Sequence, residues 1–377
     1  MATNRQHCIH ETPHNALELR AGSSDFACMV TDETPSPAPP LPHKRRARYS
    51  GKNPRRFEEK YKEHQPERYA QTVAKVLASG KTPAGMHRPV MVAEVMEALA
   101  PRPGQLAVDC TLGFGGHAQE LLARISPGGR LLGLDTDPME LPKTEARLRG
   151  LGFGADVFTA RRSNFAGLPQ ALWEAEIQGV DVLLADLGVS SMQLDDPTRG
   201  FSVKNEGPLD MRMNPQRGQP ASALLVRIGP EALKILLTAN ADEPRSAELA
   251  PALAGKSFAT TTALAKAVRA ALPRLSKEDV ADSIRRVFQA LRIAVNDEFS
   301  ALETLLRHLP ACLNPGGRAA VLSFHSGEDR RVKKWFEAGL REGIYAEISG
   351  ALRPGPEERR ANPRCAPAKL RWARRVI

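Results

Sequence analysis

Three groups of residues in this chain have types and spacing suited to holding a small reactive molecule. The first is a turn, Asp109-Cys-Thr-Leu-Gly113-Phe-Gly115-Gly116-His117-Ala118. Glycine lets a backbone turn tightly and approach a ligand closely. The second is Asp135, 19 residues beyond Gly116, where a carboxylate can accept hydrogen bonds from both hydroxyls of an adenosine ribose. The third is Asp186-Leu-Gly-Val-Ser-Ser191. Two cofactor readings stand. Gly113-x-Gly115-x-x-Ala118 meets a loose dinucleotide fingerprint, which points to a nicotinamide cofactor, although Gly116 also reads as a tight-packing residue. Asp109 at the head of the loop favours S-adenosylmethionine instead. A carboxylate there attracts a cationic sulfonium and α-amino group, and it would repel a diphosphate.

These residues need a scaffold that brings separate turns to one edge. Residues 89–99 read as a helix, 106–109 as a short buried strand, 117–125 as a helix and 130–135 as a second strand. Residues 141–148 read as a helix, 156–159 as a third strand and 180–186 as a fourth. Strands alternating with helices at this spacing give a parallel, doubly wound α/β sheet, with ligands at the carboxyl ends of its strands. The alternation then stops. Residues 192–222 are loop-like, and residues 229–309 read only as helices. Ser276-Lys-Glu-Asp279 fits a capping box. It opens one long helix whose apolar stripe is Val280, Ile284, Val287, Leu291, Ala294, Leu302 and Leu305, a core-packing pattern. Asn314-Pro-Gly-Gly317 turns into a fifth strand at 318–324. A mostly helical block therefore interrupts the α/β domain.

The chain is 377 residues long with a net charge of +10, long enough for two or three domains. Of that charge, residues 44–62 carry +7 and residues 353–377 carry +6, which leaves −3 for the rest. A near-neutral body with basic ends points to a polyanionic partner, nucleic acid before a mere solubility role. No apolar run reaches the length of a membrane span. Five scattered cysteines form no CxxC pair, which excludes a disulfide scaffold and suits a reducing, cytoplasmic setting. His7, Cys8, His10 and His14 lie where nothing would fix a geometry, and no metal site is expected. The expected organisation is a disordered Pro-rich and basic extension over 1–83, with a helix near 66–78. The first part of the α/β domain follows over 84–195, then an inserted helical block over 196–295. The second part, 296–377, ends in a basic tail.

From residue 85 onward the chain resembles the RsmH/MraW family, S-adenosylmethionine-dependent methyltransferases acting on the exocyclic N4 of a cytidine in the decoding region of bacterial small-subunit ribosomal RNA. The residues carrying the resemblance are Asp186-Leu-Gly-Val-Ser-Ser-Met-Gln193-Leu-Asp195-Asp196, Arg199-Gly-Phe-Ser202 and Gly207-Pro-Leu-Asp210-Met-Arg212-Met213. Gly85-Met-His87, Gly115-Gly-His117, Phe288-Gln-Ala-Leu-Arg292-Ile293, Val295-Asn296, Pro315-Gly-Gly317 and Ser323-Phe-His-Ser326 add to it. The resemblance implies a class I, Rossmann-like methyltransferase sheet with an inserted, mostly helical substrate-recognition domain. It implies that Gly115, Gly116, His117, Asp135, Phe165, Asp186 and Gln193 contact S-adenosylmethionine. Phe165 would lie over the adenine or plug the core beneath the sheet. Gln193 would serve the cofactor or sit on a surface loop. Gly327 stands where the family usually has Leu, Val287 where it has Thr, and Ala366-Pro367 where it has Arg-Ser. Residues 1 to about 80 have no standard family counterpart.

Methyl transfer from a sulfonium is an in-line displacement, so aligning the reactants supplies much of the acceleration. A cytosine amine is a weak nucleophile because its lone pair is delocalised into the ring. An acceptor on its N–H frees that lone pair. Asp186, or the carbonyls of residues 187–190, would supply the acceptor, unless Asp186 serves the cofactor alone. Asp210 is a candidate for the amine and Arg212 for a phosphate, or the two form a loop salt bridge. His325 would touch the flipped base or be a satisfied strand-end histidine. The expected partner is small-subunit ribosomal RNA or the small ribosomal subunit, held by the basic ends in a salt-dependent way; a homodimer is left open. A non-catalytic RNA-binding or assembly factor on the same fold, and an NAD-dependent oxidoreductase, are the competing readings.

Overall fold

A computed structural model describes residues 89–377. The tail, the basic stretch at 44–62, the helix expected near 66–78 and Gly85, Met86 and His87 lie outside the described residues. The chain enters through α1 (Val92–Leu99) and alternates β1 (Leu106–Asp109), α2 (Gly116–Ile125), β2 (Arg130–Asp135), α3 (Leu141–Gly150), β3 (Phe158–Arg162), α4 (Leu168–Glu174) and β4 (Val180–Asp186). The third strand starts two residues later than expected and runs on to Arg162, paired through Asp135↔Arg162. A short α5 (Ser191–Asp195) follows, then the helical block α6 (Ala221–Arg227), α7 (Pro230–Ala241), α8 (Ser246–Leu253), α9 (Thr261–Ala271) and α10 (Lys277–Asn296). The chain returns through α11 (Glu298–Cys312), β5 (Leu313–Ser323), α12 (Ser326–Arg341), β6 (Tyr345–Ile348), α13 (Pro356–Ala361) and β7 (Lys369–Arg375).

The seven strands form one sheet in the order β3-β2-β1-β4-β5-β7-β6. The first five are mutually parallel, and β7 runs antiparallel between β5 and β6. Side chains alternate faces along a strand, and the two cores show it. Ala107, Val182, Leu184, Ala320 and Leu322 pack with α1, α2 and α3, whereas their neighbours Val108, Leu183, Ala185, Ala319 and Val321 pack with α4, α11 and α12. Helices cover both faces because a parallel sheet buries both. The strand order reverses between β1 and β4, and the crevice at such a switch point is where ligands sit.

The helical block has its own core, built from Phe201, Leu209, Met211, Leu225, Leu237, Leu264, Ile284 and Leu291 among others. The one long helix expected from Ser276 is two helices. Ser276 does cap α10, its Oγ accepting from Asp279 N at 3.1 Å. Asp297 then takes left-handed dihedrals (φ 51°) and ends it. The apolar stripe is shared accordingly: Val280, Ile284, Val287 and Leu291 enter the helical core, while Leu302 and Leu305 enter the sheet core. Among the described residues no helix is long and apolar enough to cross a membrane.

The expected C-terminal tail is instead structural. Residues 369–375 are a sheet strand, and their cations are engaged inside the fold. Lys369 Nζ and Arg371 Nε reach the two oxygens of Asp329 at 2.6 and 2.7 Å. Arg374 pairs with Glu347, Arg375 donates to the Leu313 carbonyl, and Arg364 pairs with Asp195 at 2.5 Å. Burial pushes the Asp329 carboxyl up, but Arg371 and Lys369 outweigh it and hold it below the usual range.

Candidate active site

A cavity of about 750 Å³ opens over the carboxyl ends of β1, β2 and β4, within the range of roughly 300–1,000 Å³ common for small-molecule sites. Its wall includes the β1 turn from Cys110 to His117, Asp135, Phe165, residues 186–194 and, from the opposite side, Arg292 and Glu298. All seven expected cofactor contacts, Gly115, Gly116, His117, Asp135, Phe165, Asp186 and Gln193, are on this wall. Asp109 is not. It lies beneath the turn, almost fully buried, and its Oδ1 accepts from Thr111 N at 3.0 Å.

The glycines are needed for packing as well as for ligand approach. Gly115 has φ 75° and caps α2. A Cβ on Gly116 would come within 2.4 Å of Pro89 Cγ, so any side chain there would have to displace Pro89. Asp135 ties two turns together: Oδ2 accepts from Gly113 N at 2.7 Å and Oδ1 from Asp137 N at 2.8 Å. Each oxygen keeps a further lone-pair direction for a ribose hydroxyl. Phe165 packs partly against the sheet core and also lines the cavity.

Three carboxyls cluster here with little solvent around them. Burial pushes Asp109 up to about 7, Asp135 to about 6 and Asp186 to about 8, and the Asp109 and Glu328 charges add to the effect at Asp186. Burial lowers His117 to about 4. The neutral imidazole donates Nε2–H to the Val90 carbonyl at 2.9 Å, which leaves Nδ1 as an acceptor 3.6 Å from Asp186 Oδ2. Asp186 Oδ1 is buried and has no hydrogen-bond partner among the described residues. Clustered acids of raised pKa attract a cation and repel a diphosphate. The residues present therefore fit S-adenosylmethionine better than a dinucleotide.

The residues expected to meet the substrate are arranged otherwise. Arg212 Nε and Nη2 fork onto Asp210 at 2.8 and 2.7 Å. Burial pushes Asp210 up, but Arg212 prevails and holds it below its usual range. The pair is the loop salt bridge, and neither residue is on the cavity wall; Met213 is. His325 is also off the wall. It caps α12, Nδ1 accepting from Glu328 N at 3.4 Å, and its Nε2 lies 3.2 Å from Glu328 Oε1. Gln193 is on the wall, yet its amide is engaged. Oε1 accepts from Ser190 N at 3.0 Å, completing a capping box on α5, and Nε2 donates to Asp137 Oδ2 at 2.8 Å.

Sequence reasoning gives Asp137 and Arg199 no role at the site, and the structure does. Arg199 Nη1 pairs with Asp137 at 2.7 Å, and both are buried. Arg199 Nη2 donates to the carbonyls of Arg212 and Met213, and Asn296 bonds Met211 O and Met213 N. Met211 needs this support because it holds φ 64° with no exposure, a costly conformation for a non-glycine residue. The only signals in the sequence are an Asp two residues after Asp135 and the Arg of Arg199-Gly-Phe. Glu298, His325 and Glu328 bring ligand atoms within 4.8 Å of one another. Arg292 already forks onto Glu298 at 2.8 Å through both Nε and Nη2, so a cation stands beside the trio.

Comparison with known proteins agrees with this geometry. Residues 84–376 match the model of the MraW methylase family. A protein of Alkaliphilus metalliredigens named ribosomal RNA small subunit methyltransferase H 2 is 49% identical over 339 residues, covering 87% of this chain and 97% of the relative. One of Lachnoclostridium phytofermentans named ribosomal RNA small subunit methyltransferase H 1 is 47% identical over 341 residues, covering 88% and 93%. Residues 84–377 alone are about 78% of the chain. In these relatives the match therefore reaches N-terminal of residue 84, so part of the first 83 residues does have counterparts. With the strand order, the acidic cavity at the switch point and a match over all but the first 83 residues and Ile377, this chain belongs to the MraW methylase family, whose methyl donor is S-adenosylmethionine.

Proposed function

We propose that this chain methylates the exocyclic N4 of a cytidine in the decoding region of small-subunit ribosomal RNA. The observation that carries the reading is Asp186, whose carboxyl ends β4 on the wall of the cofactor cavity and is only partly exposed. The relatives' name as small-subunit ribosomal RNA methyltransferases supplies the substrate class. S-adenosylmethionine supplies a methyl group on a sulfonium. Gly115, Gly116, His117, Asp135 and Phe165 would hold it, with the Asp135 oxygens on the ribose. The Asp186 carboxylate accepts from the target amine and draws its lone pair toward attack. A new N–C bond makes the amine acidic, and one of its protons must leave. Asp186 is the acceptor: its pKa near 8 suits taking a proton at neutral pH, and His117 Nδ1 stands behind it. We assign residues 196–295 to RNA recognition, because Met213 and, from α10, Arg285 and Arg292 bring this block to the cavity wall.

The test is transfer from labelled S-adenosylmethionine to small subunits of a strain lacking this gene, followed by nucleoside mass spectrometry. N4-methylcytidine in the decoding region is expected. Donor binding without transfer to any RNA would favour the non-catalytic assembly factor and overturn the reading. Asp135→Ala is expected to abolish donor binding; unchanged binding would remove Asp135 from the site. Asp186→Asn is expected to lower turnover by about 100-fold or more, the scale of general-base loss, and to weaken donor binding far less.

A further inference from the structure

The cavity wall holds one strong hydrogen-bond donor that neither the cofactor turns nor the fold uses. Arg292, on α10, presents Nε and Nη2 to Glu298 at 2.8 Å each. Both side chains are mostly buried, 17% and 9% exposed. The third nitrogen, Nη1, has no hydrogen-bond partner among the described residues, whose bonds to this guanidinium are those of Nε and Nη2. It faces the loop after β4: a methyl group added at Gly188 would lie 4.0 Å from it, and no other heavy atom comes as near. Gly188 follows Asp186 by two residues, so the Arg292 Nη1 donor and the Asp186 carboxyl flank one short loop of the cavity wall. Glu298 fixes the guanidinium plane, and Gly188 leaves no side chain between Nη1 and the cavity.

We infer that Arg292 is the base-reading residue of this site, donating from Nη1 to the acceptor edge, N3 and O2, of the target pyrimidine. The inference rests on the cytosine reading of the substrate. Cytosine presents one amine donor followed by two acceptors. An acceptor at Asp186 and a cationic donor at Arg292 complement that order. Uracil presents an acceptor where cytosine has its amine and an N–H where cytosine has N3, so both contacts would turn repulsive. A buried charge pair costs more desolvation than an apolar pair of equal size. Keeping one on a cavity wall is explained when its open end meets a ligand.

The experiment is an atomic cycle between protein and base. Arg292→Lys keeps the charge beside Glu298 but lacks the third nitrogen. On natural small subunits it is expected to lower kcat/KM for RNA by about 10- to 100-fold, the scale on which one well-placed side chain discriminates between bases, with the Kd for S-adenosylmethionine unchanged. Subunits reconstituted with 3-deazacytidine or 2-thiocytidine at the target position lack or weaken one acceptor while keeping the amine. Wild type is expected to lose activity on at least one analogue, and Arg292→Lys to lose little more on that one. Losses that multiply on both analogues would overturn the assignment and leave Arg292 a structural residue. If Arg292→Lys fails to fold, the paired variant Arg292→Gln with Glu298→Gln removes the charges together and is read by the same cycle. Failure of the cytosine reading is distinguishable, because wild type would then form no N4-methylcytidine on natural subunits.

Discussion

Gly327 and Phe299 share one space. A Cβ on Gly327 would fall 2.6 Å from Phe299 Cζ, and Arg331 stacks on that ring at 3.6 Å while donating to the Gly327 carbonyl. The Leu that the family resemblance leads one to expect at position 327 would meet a ring arriving from α11. Gly327→Leu is expected to cost about 1–3 kcal/mol, the range for overpacking, and adding Phe299→Leu should recover most of it, read from denaturant midpoints. The acids of the cavity make a second prediction. With pKa values near 6, 7 and 8 for Asp135, Asp109 and Asp186, the folded protein binds more protons than the unfolded chain from about pH 4 to 8. Stability without donor therefore falls as pH rises through that window. The cationic donor favours the ionised forms, so its affinity should rise from pH 6 to 8, and calorimetry in two buffers should show protons released on binding. The acids themselves were legible from their places after strands. Their raised pKa values were not, because these depend on burial contributed by distant helices.

Among the elements, the loop from Arg199 to Met213 shows how structure that lacks regular secondary elements is held. Asp137, Arg199 and Asn296 tie it to β2 and α10. Asp137→Ala would leave the Arg199 guanidinium buried and unpaired, a loss of about 3–5 kcal/mol. Because Arg199 also holds the carbonyls of residues 212 and 213, kcat/KM for RNA should fall further than donor affinity does, which equilibrium binding and single-turnover rates would separate. The strand–helix alternation up to β4 was legible because apolar period and turn residues agree there. The break between α10 and α11 was not. The apolar stripe runs through Asp297 unbroken, and only the change of partner, from helical core to sheet core, requires the kink. Strand β7 was hidden for a related reason. Lys369-Leu-Arg-Trp-Ala-Arg-Arg reads as a basic tail until Asp329 of α12 and Glu347 of β6 are placed beside it.

At the scale of the whole molecule, the position of positive charge decides how RNA is held. Both basic ends looked equivalent in the sequence. The C-terminal one is engaged over its strand: Lys369, Arg371, Arg374 and Arg364 pair with carboxylates, and β7 lies inside the sheet between β5 and β6, while Arg353, Arg359 and Arg360 before it are exposed. Cations already neutralised within a fold release few counterions from RNA. Arg371→Gln should accordingly lower the unfolding midpoint, because Asp329 keeps only Lys369, and leave the salt dependence of RNA binding unchanged. The +7 of residues 44–62 lies outside the described residues and N-terminal of the family segment 84–376. Replacing Lys44, Arg45, Arg46 and Arg48 together by Gln should reduce the slope of log K against log salt by up to about 3.5, near 0.9 for each phosphate no longer neutralised, with donor affinity unaffected. An unchanged slope in that variant, together with a reduced slope in Arg371→Gln, would return the RNA grip to the C-terminal strand and require its ion pairs to open on binding. The opposite result places the backbone grip before residue 84. Base selection stays at the cavity, so affinity and specificity would reside in separate parts of one chain.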